Sequence, residues 1–530
     1  MNQQAPSARF RLDITEAVLL STMVTVVFLL PQWRYWLHGV LGLGDEGLLW
    51  YVSQRTAMGE LPIRDYFSYD PGRYYWSAFL FKILRGDGLF DQIMADDLFG
   101  LIGLFISYLV MCRSGISRPW RIATLVLLGV VLGFPRHKIY EQTLSLVAAA
   151  SATFVLMDPA KWRRWFYFGV ATGLAAFFGR NSGVYFVTAA TMTAAWIGLV
   201  AGSFPRTKDM AAYIPGVLVG YAPMLALVMG SKGFGAALWE SILYTPKWQI
   251  PVPVPFLWRF RALGLYGKPA ILMSLLFVLA PLAYVLLLLY TFRSFRTHDR
   301  AQLLVVGASI SGVCYLHHAF SHAEFGHLAQ ALPPLLVAGG AFCCWLFHGR
   351  KGLALVSFIG LAGFVVASWL PYEPGLNYFR FPGHYTKLAV QGRQFEVLKG
   401  DAQLMLASDA AYRRCGSRDG SFLAIPTYPG LYAYLKTRAP FRDLYLLSPR
   451  SEEFQKESIS ALVKSRTSVA LINENADGER RLSQTYPLLL HFVLTNFKSV
   501  DETLPHGAEM YENPTNCKTT SEESARSKVK

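Results

Sequence analysis

Residues Ala17-Val18-Leu19-Leu20-Ser21-Thr22-Met23-Val24-Thr25-Val26-Val27-Phe28-Leu29-Leu30 carry no charge, follow Arg9 and Arg11, and run into Trp33, Tyr35 and Trp36. A basic head before an apolar run has the outline of a signal peptide, but no small-residue cleavage site follows. Trp and Tyr instead concentrate where a span meets the membrane interface. The stretch therefore reads as an uncleaved first transmembrane helix.

The same pattern recurs along the first 370 residues. A spanning helix needs about 20 mostly apolar residues, and the expected spans are 17–38, 94–112, 121–136, 142–158, 164–180, 183–201, 211–229, 270–291, 301–318, 328–347 and 353–370. The pair 164–180 and 183–201 shares one apolar region, broken only at Gly179-Arg180-Asn181-Ser182. That break admits one long buried element or a re-entrant pair. The fold class expected is a polytopic all-α membrane protein of about 11 transmembrane helices with a small C-terminal α/β domain.

Composition agrees. The chain has 530 residues, of which 53% are hydrophobic and 16% charged, well below the charged quarter of an ordinary soluble domain. The net charge of +15 is no nucleic-acid signal, because most of the excess flanks apolar spans rather than forming a basic patch on a soluble face. Arg113, Arg118 and Arg121, then Lys161, Arg163 and Arg164, then Arg206 and Lys208, then Arg293, Arg296 and Arg300, then Arg350 and Lys351 all fall on the side of Arg9 and Arg11. Lys and Arg favour the cytoplasmic side. The expected topology is a multi-pass bacterial inner-membrane protein with a cytoplasmic N-terminus and an extracytoplasmic tail. Omitting one span would put the later clusters on the wrong side.

Three regions follow: a transmembrane part over 1–370 with long outer loops at 39–93 and 230–269, an extracytoplasmic α/β domain over 371–505, and a polar, disordered tail over 506–530. The loops are rich in aromatics; 230–269 holds Trp239, Trp248 and Trp258 with Pro246, Pro251, Pro253, Pro255 and Pro269. They read as short interfacial helices and turns. In the soluble domain, Leu388–Lys399, Gly430–Leu435, Glu452–Lys464 and Gln484–Asn496 read as helices; Phe422–Pro426, Leu444–Leu447 and Ser468–Ile472 read as strands. Of six cysteines, Cys415 and Cys517 fall on a side that permits a disulfide, although Cys517 lies in the polar tail.

Chemistry gathers in the outer loops. Gly44-Asp45-Glu46 sits just beyond the first span, followed by Arg64-Asp65-Tyr66-Phe67-Ser68-Tyr69-Asp70-Pro71-Gly72-Arg73-Tyr74-Tyr75-Trp76. Interleaved aromatics and charges suit a pocket for a phosphate and a polar ring, with Arg offering several donors, and a carboxylate there suits general-base work. The bland reading is solvated loop charge. The loop Pro135-Arg136-His137-Lys138-Ile139-Tyr140-Glu141 crowds cations that would hold a phosphate leaving group, or would snorkel to headgroups. Arg180 and Asn181 mark either a water-facing group, since a charge at that depth is costly, or a plain turn. His317, His318, His322, Glu324 and His327 form a second polar concentration. It admits a metal through His318, His322 and Glu324, donor-phosphate or acceptor binding, or interfacial polarity, and it lacks the His-Glu-x-x-His spacing.

The acidic pair after the first span, the amphipathic outer loop, the many spans and the terminal domain resemble the GT-C fold glycosyltransferases. The nearest in kind are bacterial relatives of the protein mannosyltransferases and of the lipid A aminoarabinose transferase. The resemblance implies a polyprenyl-phosphate sugar donor, a lipid, glycan or protein acceptor, and inversion at the transferred carbon. It assigns the base or acceptor-orienting role to Asp45, with Glu46 beside it, and gives Glu141 the place of a second acid. Where that family carries a Lys-Pro-Pro segment, this chain has Tyr69-Asp70-Pro71-Gly72-Arg73, so Arg73 stands in for the lysine. His322, Glu324 and His327 match a late donor-phosphate motif, and Arg136, Lys138 and Arg180 join the donor-binding set. A divalent cation, Mg or Mn, fits an acidic pair, though such a pair also works without metal. The rival readings are a transporter or lipid-linked sugar flippase, which internal repeats would favour and which are not evident, and a non-catalytic envelope scaffold.

Overall fold

The computed structural model describes residues 6–35, 42–202, 204–248, 268–294, 299–346, 350–415, 421–474, 481–500 and 504–517. The chain forms two compact units whose segments alternate in sequence. The first takes Met1–Gln32, Ile93–Ser231 and Ile250–Leu376; the second takes Trp33–Gln92, Lys232–Gln249 and Asn377–Lys530. The described parts of the two long outer loops thus fall largely in the second unit, with the tail. Trp258 and the prolines at 251, 253 and 255 lie outside the described residues.

The helical unit is built from apolar helices. Among the described residues nine helices are long and apolar enough to cross a membrane: Leu12–Arg34, Leu89–Arg113, Arg136–Met157, Arg180–Val200, Thr207–Gly230, Ile271–Arg293, Arg300–Ser321, Phe325–Leu346 and Lys351–Tyr372. The other two expected spans, 121–136 and 164–180, appear as shorter helices, Arg118–Val131 and Trp162–Phe178. Each has a local reason to stop. After Val131 the chain turns extended at Leu132, Gly133 takes a positive φ, and Pro135 follows, which ends helical hydrogen bonding. After Phe178, Gly179 is extended and a new helix begins at Arg180.

That resolves the break around Arg180 into a tight turn between two helices. A Cβ on Gly183 would lie 2.5 Å from the Ala176 Cβ, so only glycine lets the second helix fold back this closely. The same device packs Trp162–Phe178 against Tyr213–Gly230. Gly169 and Gly173 on one helix, and Gly216 and Gly220 on the other, have no room for a Cβ against the facing backbone. Two facing small-xxx-small faces are a typical solution where lipid removes the hydrophobic drive for association. Ile271–Arg293 presents Val278, Leu282, Leu286 and Leu289 outward, the surface a lipid-facing helix needs.

The second unit joins the first outer loop, the helix Phe234–Trp248 and the tail. Helices Gly47–Ala57 and Gly72–Leu84 come from the loop. The tail opens with a hairpin, β1 (Tyr385–Val390) and β2 (Arg393–Leu398), paired antiparallel. This corrects the expected helix at Leu388–Lys399. Gln391 and Gly392 both take positive φ, the two-residue turn that matches strand twist. Leu388, Val390, Phe395 and Val397 then alternate inward.

After the helix Lys399–Arg414 come β3 (Phe422–Ile425), β4 (Val469–Ile472), β5 (Lys498–Ser499) and β6 (Glu509–Glu512), in sheet order β3-β4-β6-β5. β3 and β4 are parallel, and β6 runs antiparallel to both of its neighbours. The expected strand at Leu444–Leu447 is irregular chain instead; Leu446 is buried in the core beside the sheet and its N–H donates to the Pro426 carbonyl.

The tail beyond 505 also departs from expectation. β6 pairs with two strands, buries Met510 and Tyr511, and is followed by Cys517, disulfide-bonded to Cys415. Four residues of which only Met510 and Tyr511 are buried supply too little apolar signal to mark a strand in a polar sequence, and a strand inside a sheet draws its stability from two neighbours instead. Residues 518–530 lie outside the described residues.

Candidate functional site

In the second unit, Asp45 lies in the turn Gly42–Glu46 that leads into the helix Gly47–Ala57. That turn is shaped by contact with the tail. A Cβ on Gly47 would lie 2.5 Å from the Cα of Gly430, so the backbone of the acidic turn rests directly on the start of the helix Pro429–Leu435. The Tyr51 hydroxyl accepts from the Ala439 N–H at 2.9 Å, and the Tyr51 and Tyr432 rings lie 5.4 Å apart. Tyr445 then reaches Asp45: its hydroxyl donates to Oδ1 at 2.8 Å. Burial pushes the Tyr445 hydroxyl well above its ordinary pKa, and the charge of Asp45 adds to the effect. It therefore stays a donor throughout the neutral range, and holds the carboxylate in one orientation.

Tyr69 and Arg73 also meet. The Arg73 guanidinium stands 5.1 Å from the Tyr69 ring centre. Arg73 is buried in the first turn of Gly72–Leu84, whereas Tyr69 is exposed. The Tyr69 N–H donates to the Tyr74 hydroxyl at 3.1 Å. Glu46 is half-buried beside Asp45.

The helical unit holds the other set. Arg136, His137 and Lys138 form one turn of 3-10 helix, all three buried. Arg136 Nη1 lies 3.2 Å from Asp97 Oδ1. One turn on, the Tyr140 hydroxyl donates to Asp96 Oδ1 at 3.0 Å. Two adjacent carboxylates on Leu89–Arg113 thus hold Arg136 of the basic turn and Tyr140 just beyond it. Lys138 Nζ points to His327 Nε2 at 3.4 Å. On the far side of the same ring, Nδ1 lies 2.9 Å from the His322 carbonyl and 3.2 Å from Glu324 Oε1. The consistent tautomer is Nδ1–H donating to these oxygens while Nε2 accepts from the ammonium.

The late segment is therefore brought together with the basic turn. His322, Glu324 and His327 offer one donor atom each, all within 4.8 Å of one another. His318, expected as a ligand, instead packs its ring edge-on to His327 at 4.5 Å. The other three-donor cluster among the described residues, Cys415–Glu512–Cys517, has both sulfurs committed to the disulfide. Asp45 and Glu46 belong to neither cluster. Two imidazoles and a carboxylate suit zinc-like ions better than Mg or Mn, which prefer oxygen ligands. Glu141 lies in the first turn of the helix Ile139–Met157. Arg180, half-buried, begins its helix directly after the Gly179 break.

Asp96, Asp97 and Tyr445 were not singled out from sequence. For the first two the signal was present: adjacent acids inside an apolar span are costly unless paired. Tyr445 carried no such mark, because its partner lies 400 residues away.

No protein-family model and no curated protein matches the sequence. The fold does find counterparts among solved structures. ArnT from Cupriavidus metallidurans bound to undecaprenyl phosphate matches with a TM-score of 0.52 at 13% identity, covering 96% of this chain and 98% of that one. The same protein in the apo state gives 0.53 at 14% identity over 94% and 97%. This chain has the GT-C fold. The Archaeoglobus fulgidus oligosaccharyltransferase, tethered with an acceptor peptide containing the NVT sequon, matches at 0.50 and 9% identity over 95% of this chain and 74% of that one. This chain is a polytopic, mostly helical membrane protein with a small C-terminal sheet region, as composition and spans suggested. At these identities the likeness speaks to architecture, and the chemistry has to be argued from the residues.

Proposed function

We propose that this protein is an integral membrane glycosyltransferase that moves a sugar from a polyprenyl-phosphate donor to a lipid, glycan or protein acceptor at the outer face of the inner membrane. The observation that carries the reading is Lys138. Its ammonium is buried, and among the described residues its hydrogen-bond partner is a neutral imidazole rather than a carboxylate. A buried charge is expensive unless an opposite charge meets it. A lipid phosphate supplies that charge, and Arg136 on the same turn adds a fork of donors suited to phosphate oxygens.

The chemistry is a direct displacement. Asp45, oriented by Tyr445, takes the proton of the acceptor hydroxyl or amine. The acceptor atom attacks the anomeric carbon from the face opposite the phosphate, so configuration inverts. The carbon–oxygen bond to phosphate breaks, and its electron pair leaves on the polyprenyl phosphate. In the helical unit, Arg136 and Lys138 are assigned to the leaving phosphate, with Arg180, His322, Glu324 and His327 as further donor or acceptor contacts and Glu141 as second acid; in the second unit, Arg73 is assigned to the same donor or acceptor chemistry as Asp45. A divalent cation held by His322, Glu324 and His327 would have to replace the Nδ1 proton of His327, and would then add Lewis-acid stabilisation of the leaving phosphate.

Two features support an outer-face reaction. The five basic clusters beside the spans agree on one cytoplasmic side, and the Cys415–Cys517 disulfide suits an oxidising compartment. A lipid-linked donor also removes the need for a cytosolic nucleotide sugar. The test is binding of undecaprenyl phosphate to the protein in nanodiscs. Lys138→Met is expected to weaken binding about tenfold, the loss of one charge-assisted contact. Equal binding by wild type and variant would remove Lys138 from the donor site.

A further inference from the structure

Asp97 and Arg136 make a one-point ion pair where a two-point one is available. Arg136 uses Nη1, and Asp97 uses Oδ1, at 3.2 Å. Arg–carboxylate pairs commonly dock fork to fork, and here the second oxygen is left over. Asp97 Oδ2 is buried, the Asp97 side chain is 2% exposed, and the oxygen has no hydrogen-bond partner among the described residues. A buried carboxylate oxygen without a donor is a rare and costly feature. Beside a basic turn, such an oxygen is open to a donor that a ligand brings.

The surroundings narrow what that ligand carries. Asp96, the neighbouring acid, is taken up by the Tyr140 hydroxyl. Arg136 still has guanidinium N–H groups beyond the one given to Asp97, and two residues away stands Lys138 with its neutral partner. The open acceptor therefore sits against a cationic turn. A molecule that satisfies both must bear anionic oxygens and, a few ångströms off, a hydroxyl or amine hydrogen. A bare phosphate monoester dianion offers only the first. A phosphate esterified to a sugar offers both.

We infer that Asp97 is a specificity-determining residue: its Oδ2 accepts a hydrogen bond from a hydroxyl or amine of the donor's sugar while Arg136, held by Oδ1, takes the phosphate. The inference rests on the donor reading above and deepens it. Asp97 thereby distinguishes the loaded donor from the spent lipid phosphate, which has no hydrogen to give it. Loss of the sugar leaves Oδ2 unsatisfied again, so the site favours release of the product. A site built to bond a substrate hydroxyl discriminates strongly against an analogue lacking it, because the unmet polar group stays buried.

The experiment compares two probes on the full chain in nanodiscs: undecaprenyl phosphate alone, and a panel of undecaprenyl-phosphate hexoses and an undecaprenyl-phosphate aminopentose. Wild type is expected to bind at least one sugar-bearing lipid about tenfold or more tightly than the bare lipid. Asp97→Asn keeps an oxygen for Arg136 but replaces the second acceptor with a donor. It is expected to erase most of that preference while shifting bare-lipid affinity less than about threefold. Asp97→Glu, which restores the carboxylate, is expected to recover part of the preference and guards against a variant that fails to fold. Arg136→Gln is expected to weaken both probes.

Equal weakening of both probes by Asp97→Asn would make Asp97 a brace for Arg136 only. No change for either would leave Oδ2 without a part in donor binding. Each overturns the inference while leaving the donor reading intact, as does wild type that binds both probes without preference. Wild type that binds neither probe overturns the donor reading itself.

Discussion

Asp401 carries a titration that can be read without knowing the substrate. It lies in the first turn of Lys399–Arg414, 1% exposed, with His506 Nε2 3.5 Å away. Burial pushes its carboxyl above the usual carboxylate range, and the His506 charge opposes this in part. The folded protein therefore keeps a proton that the unfolded chain gives up, so stability falls as pH rises from about 4 through the raised value, then levels off. Asp401→Asn is expected to remove that slope and to raise the melting temperature at pH 7. Thermal unfolding of both proteins in detergent across pH 4–8 checks it; a wild-type stability that climbs with pH relative to the variant would contradict it. Single residues were legible in sequence where their cost was visible. Asp45 stood out beside an apolar run, and Arg136 and Lys138 stood out in a short loop. Tyr445 was invisible because only the folded tail brings it to Asp45, and His327 took the place expected of His318 because a turn, not a helix period, sets which ring faces Glu324.

The contact between the acidic turn and the helix Pro429–Leu435 is made by glycine, and it can be graded. Gly47 would place a Cβ 2.5 Å from the Gly430 Cα, whereas Gly430 would place one 3.0 Å from the Leu43 carbonyl. Both substitutions overpack, at about 1–3 kcal/mol each, with Gly47→Ala the worse. The expected readout is a larger fall in melting temperature for Gly47→Ala than for Gly430→Ala; a reversed order would show that this approach does not limit stability. A second tie lies in Arg450, which is bidentate to Asp443 at 2.8 and 3.1 Å and lies over Tyr244 at 3.5 Å, while Arg442 meets Glu240 at 2.7 Å. Such ties explain why Phe234–Trp248 belongs with the tail rather than with the spans around it in sequence. At this scale long helices read well because apolar length is a strong signal. The hairpin at 385–398 and β6 read poorly, since one hinges on a Gln-Gly turn and the other borrows its stability from neighbouring strands. The short helix Trp162–Phe178 was placed correctly, but its packing rests on Gly169 and Gly173, whose role shows only against Gly216 and Gly220.

For the molecule as a whole, the span pattern and the terminal domain were readable, and the GT-C fold agrees with them. The interleaving of two compact units was not, because a chain that leaves the helical unit at Trp33 and returns near Ile93 gives no local sign of which distant segment it joins. The disulfide tests topology at this scale. Cys415 and Cys517 close a loop of 102 residues, a link worth about 4–5 kcal/mol in the chain-entropy account. In intact membranes both cysteines are expected to resist maleimide until a reductant is added, and Cys517→Ser is expected to lower the melting temperature. Immediate labelling of both thiols would argue against an oxidising side. The most direct test of the central claim is turnover: purified protein, a panel of labelled polyprenyl-phosphate sugars, and an extract of envelope acceptors, with release of polyprenyl phosphate measured for wild type and Asp45→Asn. The account expects release by wild type with at least one donor and a fall of about a hundredfold or more in the variant, the scale of losing a general base. Release that is undiminished in Asp45→Asn, or absent with every donor, would contradict it.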